Sequence, residues 1–136
     1  MLASFAAVEG STFEPVQVQK FLFLIDENLA NELGGKKFQF RPYDYGPFDH
    51  MVYRILENLA SRGLAIIEFG HHGRRTFRLS AAGQHEGAAL LRRMPQEIQI
   101  KISHASNWVR ALSFSDLVAA IYRMYPEMRA NSVFRD

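Results

Sequence analysis

A chain of 136 residues with 48% apolar and 22% charged residues has the composition of one soluble globular domain, and disorder is excluded. Its 16 lysines and arginines stand against 14 acids, so the net charge of +2 gives no overall pull toward nucleic acid, and only a local cluster can provide one. Cysteine is absent, which removes disulfides, thiolate metal sites and thiol catalysis.

Met1 to Gly10 has no positive charge ahead of its apolar stretch, so no secretory signal is expected. The apolar run Phe21 to Ile25 is too short to span a membrane. The expectation is a single cytoplasmic domain over 1–136, with a core at about 15–84 and a helical extension at about 95–126.

Leu2 to Val8 reads as a short apolar helix broken by Gly10, Ser11 and Thr12. Thr12 or Ser11 is expected to cap a second helix with Pro15 in its first turn, running to about Leu33 and ended by Gly34 and Gly35. Val18, Phe21, Leu22, Ile25 and Leu29 share one face, and Phe23 and Leu24 imply burial on another. Phe38 and Phe40 alternate with polar neighbours, which predicts a short strand.

In Tyr45-Gly46-Pro47-Phe48, glycine is expected to cap a helix and proline to take its first position, with Asp49 in the first turn. Phe48, Met51, Val52, Ile55, Leu56 and Leu59 form the apolar stripe of that helix. Asp49, His50, Tyr53, Arg54, Glu57 and Asn58 then face outward, and Gly63 stops it. Leu64 to Phe69 and Thr76 to Ser80 read as two strands around a loop at Gly70 to Arg75. Ser80 opens a further helix, weakened by Gly83 and Gly87 and ending near Met94-Pro95.

Ile98, Ile102, Ala105, Val109 and Leu112 mark the next helix, and Phe114, Leu117, Val118, Ile121, Tyr122 and Tyr125 the last. Ser113 with Asp116 is close to a capping box, Pro126 ends the helix, and Asn131 to Asp136 reads as a loose tail.

Helices followed by a hairpin give the order of a winged helix. The predicted class is α+β and mostly helical: a winged helix-turn-helix core, a small β-hairpin wing and additional C-terminal helices. The Leu-x-x-x-Gly-Leu turn at Leu59 to Leu64 and the segment Phe77 to Gln84 (FRLSAAGQ) resemble the helix end and the wing closure of winged-helix regulators. Val18 to Asp26 (VQKFLFLID) with Tyr45 to Phe48 (YGPF) resembles the Panacea-type domains of antitoxins and phage-associated proteins, and related uncharacterised bacterial domains. The match covers Val18 to Gln84, and Ser113 to Met128 fits the uncharacterised relatives better than the antitoxins. The resemblance implies a non-catalytic module working through protein contacts, with a toxin or defence protein as partner. It makes Gln19, Lys20, Tyr45, Gly46, Pro47 and Phe48 structural.

Candidate contact residues fall in two groups. Arg62, Arg74, Arg75 and Arg78 surround the hairpin with Glu68 as the one acid among them, and His71, His72 and Gly73 form its tip. Such a wing can meet phosphates or a minor groove. His50, Tyr53, Arg54 and Asn58 occupy the helix face that reads bases in this fold, although Asp49 and Glu57 beside them repel phosphate.

Double-stranded DNA is therefore the alternative partner, with a homodimer built on the Phe114 to Tyr125 stripe. The aromatics Phe38, Phe40, Tyr43, Tyr45 and Phe48 serve as a stacking platform, as a partner's pocket or as core, with core packing the common outcome. Lys20 is expected to reach water along its helix, the other option being a bond to a turn carbonyl near Gly46. His71 and His72 need a third ligand, such as Glu68 or His85, to hold a metal. Neither metal nor cofactor is expected. Catalytic motifs are missing, so a small enzyme or ligand sensor ranks last.

Overall fold

Pro15 begins the helix around which everything else packs. The computed structural model describes residues 1–134 and contains, among them, six α-helices and two antiparallel hairpins. In chain order these are α1 (Leu2–Ala6), α2 (Pro15–Leu29), β1 (Arg41–Tyr43), β2 (Gly46–Phe48), α3 (His50–Ser61), β3 (Ala65–Phe69), β4 (Arg75–Leu79), α4 (Ala81–Leu91), α5 (Gln96–Ala111) and α6 (Phe114–Met124). Single 3₁₀ turns lie at His71–Gly73 and Pro126–Arg129.

α2 is buried continuously from Val18 to Ile25, on all sides, because α3, α5 and α6 and both hairpins surround it. Its cap is Glu14 rather than Thr12 or Ser11. The Glu14 carboxylate accepts the N–H of Gln17, whose side chain accepts the N–H of Glu14 at 2.8 Å. Ser11 is occupied elsewhere, donating to the Phe5 carbonyl at 3.3 Å. Phe13 pairs by both backbone groups with Phe77 of β4 and stacks between Phe5 and Phe21, at 4.9 and 5.0 Å. α2 stops at Leu29, earlier than its glycines suggest, and the Ala30 carbonyl accepts the N–H of Gly35.

Phe38 and Phe40 do not form a strand. The N–H groups of Lys37 and Phe38 donate to the Asp26 carboxylate, at 3.1 and 2.9 Å, and that of Gln39 to Asp49 at 2.8 Å. With its donors taken by carboxylates, this stretch has no ladder to join. Its two rings pack on the core, Phe40 edge-on to Phe23. The strand lies just beyond, where Arg41 to Tyr43 pairs with Gly46 to Phe48.

Gly46 and Pro47 accordingly belong to β2, not to the helix start. Asp49 is the cap of α3, accepting the Met51 N–H at 2.8 Å. Val52, Leu56 and Leu59 are buried as the stripe requires, whereas Met51 is exposed. Gly63, at a φ of +76°, closes α3 in a Schellman turn: Leu64 N–H donates to the Leu59 carbonyl and Gly63 N–H to that of Ala60.

β3 and β4 pair from Ala65↔Leu79 to Phe69↔Arg75, one residue displaced from the expected second strand. Ser80 caps α4 as read, and α4 ends at Leu91, short of Met94. Its two glycines are contact points. A Cβ on Gly83 would fall on the Leu64 carbonyl oxygen, and one on Gly87 would stand 2.6 Å from that of Leu2. They let α4 lie against α1 and the start of the hairpin.

α5 buries Ile98, Ile102, Ser106 and Val109. In α6, Leu117, Val118, Ala120, Ile121 and Tyr122 are buried within the chain, so the stripe assigned to a dimer surface already has its partner in α2 and the core. The tail is tied down as far as Phe134. Val133 N–H and Ser132 Oγ donate to the Asp44 carbonyl, and Tyr122 donates to Ser132 at 2.5 Å. Arg135 and Asp136 lie outside the described residues. No helix among those described is long and apolar enough to cross a membrane.

Candidate binding cleft

Two residues of α2 fix the first hairpin. Gln19 donates to the Asp49 carbonyl and accepts the Asp49 N–H, both at 3.0 Å, as a strand neighbour would. Lys20 donates to the Pro47 carbonyl at 3.3 Å. The ammonium does not snorkel: the residue is 3% exposed, and burial pushes the amine down to about 7. It makes no other hydrogen bond or ion pair among the described residues. Gly46 lies directly above it. A Cβ there would stand 3.6 Å from Lys20 Cε and 3.4 Å from the Tyr122 ring, and φ is +99°.

The hairpin so held forms one wall of a cleft of about 470 Å³, in the range of ligand and side-chain pockets. The N-terminal half of α2 makes the floor with Val16, Gln19 and Lys20. Arg74, Arg75 and Thr76 form the opposite wall, and Phe114 of α6 closes one end. Rings run through it in sequence. Tyr43 stacks on Phe48 at 5.0 Å and Phe48 meets Tyr53 edge-on at 5.7 Å; behind the lining, Tyr53 lies parallel to the fully buried Phe77 at 5.8 Å. Tyr45 meets Phe114 edge-on at 5.0 Å.

Tyr43 is 53% and Tyr45 43% exposed, so both leave ring area uncovered. Tyr53 turns into the protein rather than outward. Burial raises its hydroxyl pKa, with the Gln19 hydrogen bond and the Arg75 charge opposing. The Arg75 guanidinium covers its ring at 4.7 Å.

The two groups of candidate residues thus meet only in part. Gln19, Lys20, Tyr45, Gly46 and Phe48 line the cleft together with Tyr53, Arg74 and Arg75. Pro47 contributes the carbonyl that holds Lys20. Arg54, Asn58 and Arg62 remain exposed along α3 and its C-cap, outside the cleft. His50 meets Phe48 edge-on at 5.2 Å from the far side of the hairpin. Arg78 is tied to Glu68 at 2.7 Å and Arg75 lies over Tyr53, so the exposed arginines of the wing group without an ion pair among the described residues are Arg62 and Arg74.

Phe114, read as part of the α6 core stripe, is 43% exposed and belongs to the cleft. Its place in the first turn, directly after the Ser113 cap, is the one signal that sets it apart from the stripe.

A larger groove of about 650 Å³ between α2, α5 and α6 is lined by the half-buried Trp108 and the exposed Met124. None of the candidate residues lines it. Groups of three or more His, Asp and Glu placed to hold a metal are absent among the described residues. No family model, curated protein or solved structure matches the chain.

Proposed function

We propose that the chain is a non-catalytic, cytoplasmic binding domain of winged-helix type, which holds a segment of a protein partner in the cleft beside α2. The order α2, α3, β3–β4 supports the winged-helix reading, with β3–β4 as the wing and the β1–β2 hairpin standing between the two helices. The resemblance to Panacea-type domains makes a toxin or defence protein the expected partner.

The observation that carries the reading is the pair of exposed rings, Tyr43 and Tyr45, on a hairpin that Gln19 and Lys20 hold in place. Rigid aromatic area beside an arginine is the composition of an interface centre. The test is photo-crosslinking in extract of the native host, with p-benzoylphenylalanine at Tyr43 and, as control, at the exposed Glu86 of α4. A discrete adduct from Tyr43 alone is expected. Equal labelling from both positions, or none, overturns the reading.

A second reading, duplex DNA held by the wing, rests on Arg74 together with the exposed Arg54 and Arg62. Glu57 on the same helix face, the Arg78–Glu68 pair and the placement of Arg75 over Tyr53 all weaken it.

A further inference from the structure

The walls of the cleft are aromatic, but an ammonium lies at its floor. Lys20 has three N–H donors, and the Pro47 carbonyl takes one of them. A buried cation with incomplete hydrogen bonding is costly until an anion meets it. Arg74 and Arg75 approach from the opposite wall. The carboxylates that share the lining are Glu14 and Asp44. Glu14 is committed to the α2 cap, and neither forms an ion pair with a cleft cation among the described residues. Gly46 packs against the amine, and a Cβ there would stand 3.8 Å from Lys20 Nζ.

We propose that the occupant is an acidic peptide segment of the partner, with a carboxylate reaching Lys20 and Arg74 and a neighbouring aromatic side chain lying against Tyr45, Phe48 and Tyr53. This rests on the reading of the cleft as a partner site and adds the chemistry of what enters. The carboxylate completes the hydrogen bonding of the amine and neutralises it in a setting of low polarity, where charge-assisted bonds are strongest. The aromatic side chain extends the existing series of rings. Depression of the amine by burial accords with this, because an arriving carboxylate restores the charged form.

The experiment uses the full chain, isotope-labelled, and two blocked tripeptides, acetyl-Phe-Glu-Leu-amide and its neutral counterpart acetyl-Phe-Gln-Leu-amide. Shifts of the backbone amides and of Lys20 Cε are followed by NMR. The expected result is tighter binding of the acidic peptide by about tenfold or more, with shifts at Tyr43 to Phe48. The titration midpoint of Lys20 should rise when the peptide is bound. Lys20→Met should make the two peptides equivalent while amide dispersion stays native.

If that variant does not fold, the Lys20 midpoint in the wild-type protein carries the test alone. Equal binding of both peptides overturns the proposal, as do shifts confined to another surface or no binding at millimolar peptide. The crosslink from Tyr43 reports separately on whether the cleft meets a partner at all, so either failure can be recognised without the other.

Discussion

Replacing Lys20 by methionine should stabilise the protein in mild acid and destabilise it in mild alkali. The amine titrates near 10.5 when unfolded and near 7 in the fold. The folded value is the lower one. Between those limits the unfolded chain therefore holds a proton that the native state has lost, and stability rises with pH through the window. Below it both states are protonated, and the full penalty of burying the charge applies. A depression of this size corresponds to roughly 4–5 kcal/mol, of which about 3 kcal/mol is relieved by about pH 9.5.

Methionine removes the charge but leaves the Pro47 carbonyl without its donor, a loss of about 1–3 kcal/mol. The variant should then be more stable than wild type by about 2 kcal/mol near pH 6 and less stable by about 1 kcal/mol near pH 9.5. Urea unfolding of both proteins at the two pH values measures this, and groups common to both cancel in the difference. A gap between variant and wild type that is the same at both pH values would refute the reasoning.

Other perturbations test the parts that hold the cleft in place. Gly87→Ala should cost about 2–4 kcal/mol in urea unfolding, because its Cβ meets the Leu2 carbonyl and Ala6 across α1, and Gly83→Ala should cost at least as much against Leu64. Asp26→Asn should lose about 1.5–3 kcal/mol, since an amide replaces half of the acceptor that holds Lys37 and Phe38; amide exchange at Phe38 should accelerate with it. If duplex DNA binds, fluorescence anisotropy across salt should show Arg74→Ala reducing the salt slope by about one, while Arg78→Ala, already neutralised by Glu68, leaves it unchanged.

Elements fixed by local pattern were legible in the sequence. The α3 stripe, the hairpin around Gly70 to Gly73, and the caps at Ser80 and Ser113 follow from residue periodicity and from side chains bonding a few positions away. The α2 cap was missed locally, because Glu14 forms its box with Gln17 three residues on; the misreadings at Phe38 and Phe40, at the α4 glycines and in the tail share another cause, a long-range partner. Phe38 and Phe40 have the alternation of a strand, but their stretch of backbone donates to Asp26 and Asp49, which only the fold brings near. Gly83 and Gly87 look like weak helix positions until α1 and Leu64 are seen against them. The Asn131 to Phe134 segment reads as loose because its acceptors, Pro42 and Asp44, lie about ninety residues earlier in the chain.

The cleft was legible in the sequence as a Gln-Lys helix paired with a Tyr-Gly-Pro-Phe turn, with a Lys20 bond to a turn carbonyl as one option, and the structure supplies the reason they occur together. Gln19 holds both backbone groups of Asp49 while the carboxylate of Asp49 caps α3, so this pair joins α2, β2 and α3 in one arrangement. On β2, just before Asp49, the Pro47 carbonyl accepts from Lys20, the residue after Gln19. For the carbonyl alone, a neutral donor would serve without burying a charge, and an apolar side chain is expected to be the more stable choice below neutral pH. Stability is therefore a poor account of the lysine at this position. An amine that weakens the isolated protein but faces a cleft with two arginines opposite is better explained by what enters the cleft than by what lines it.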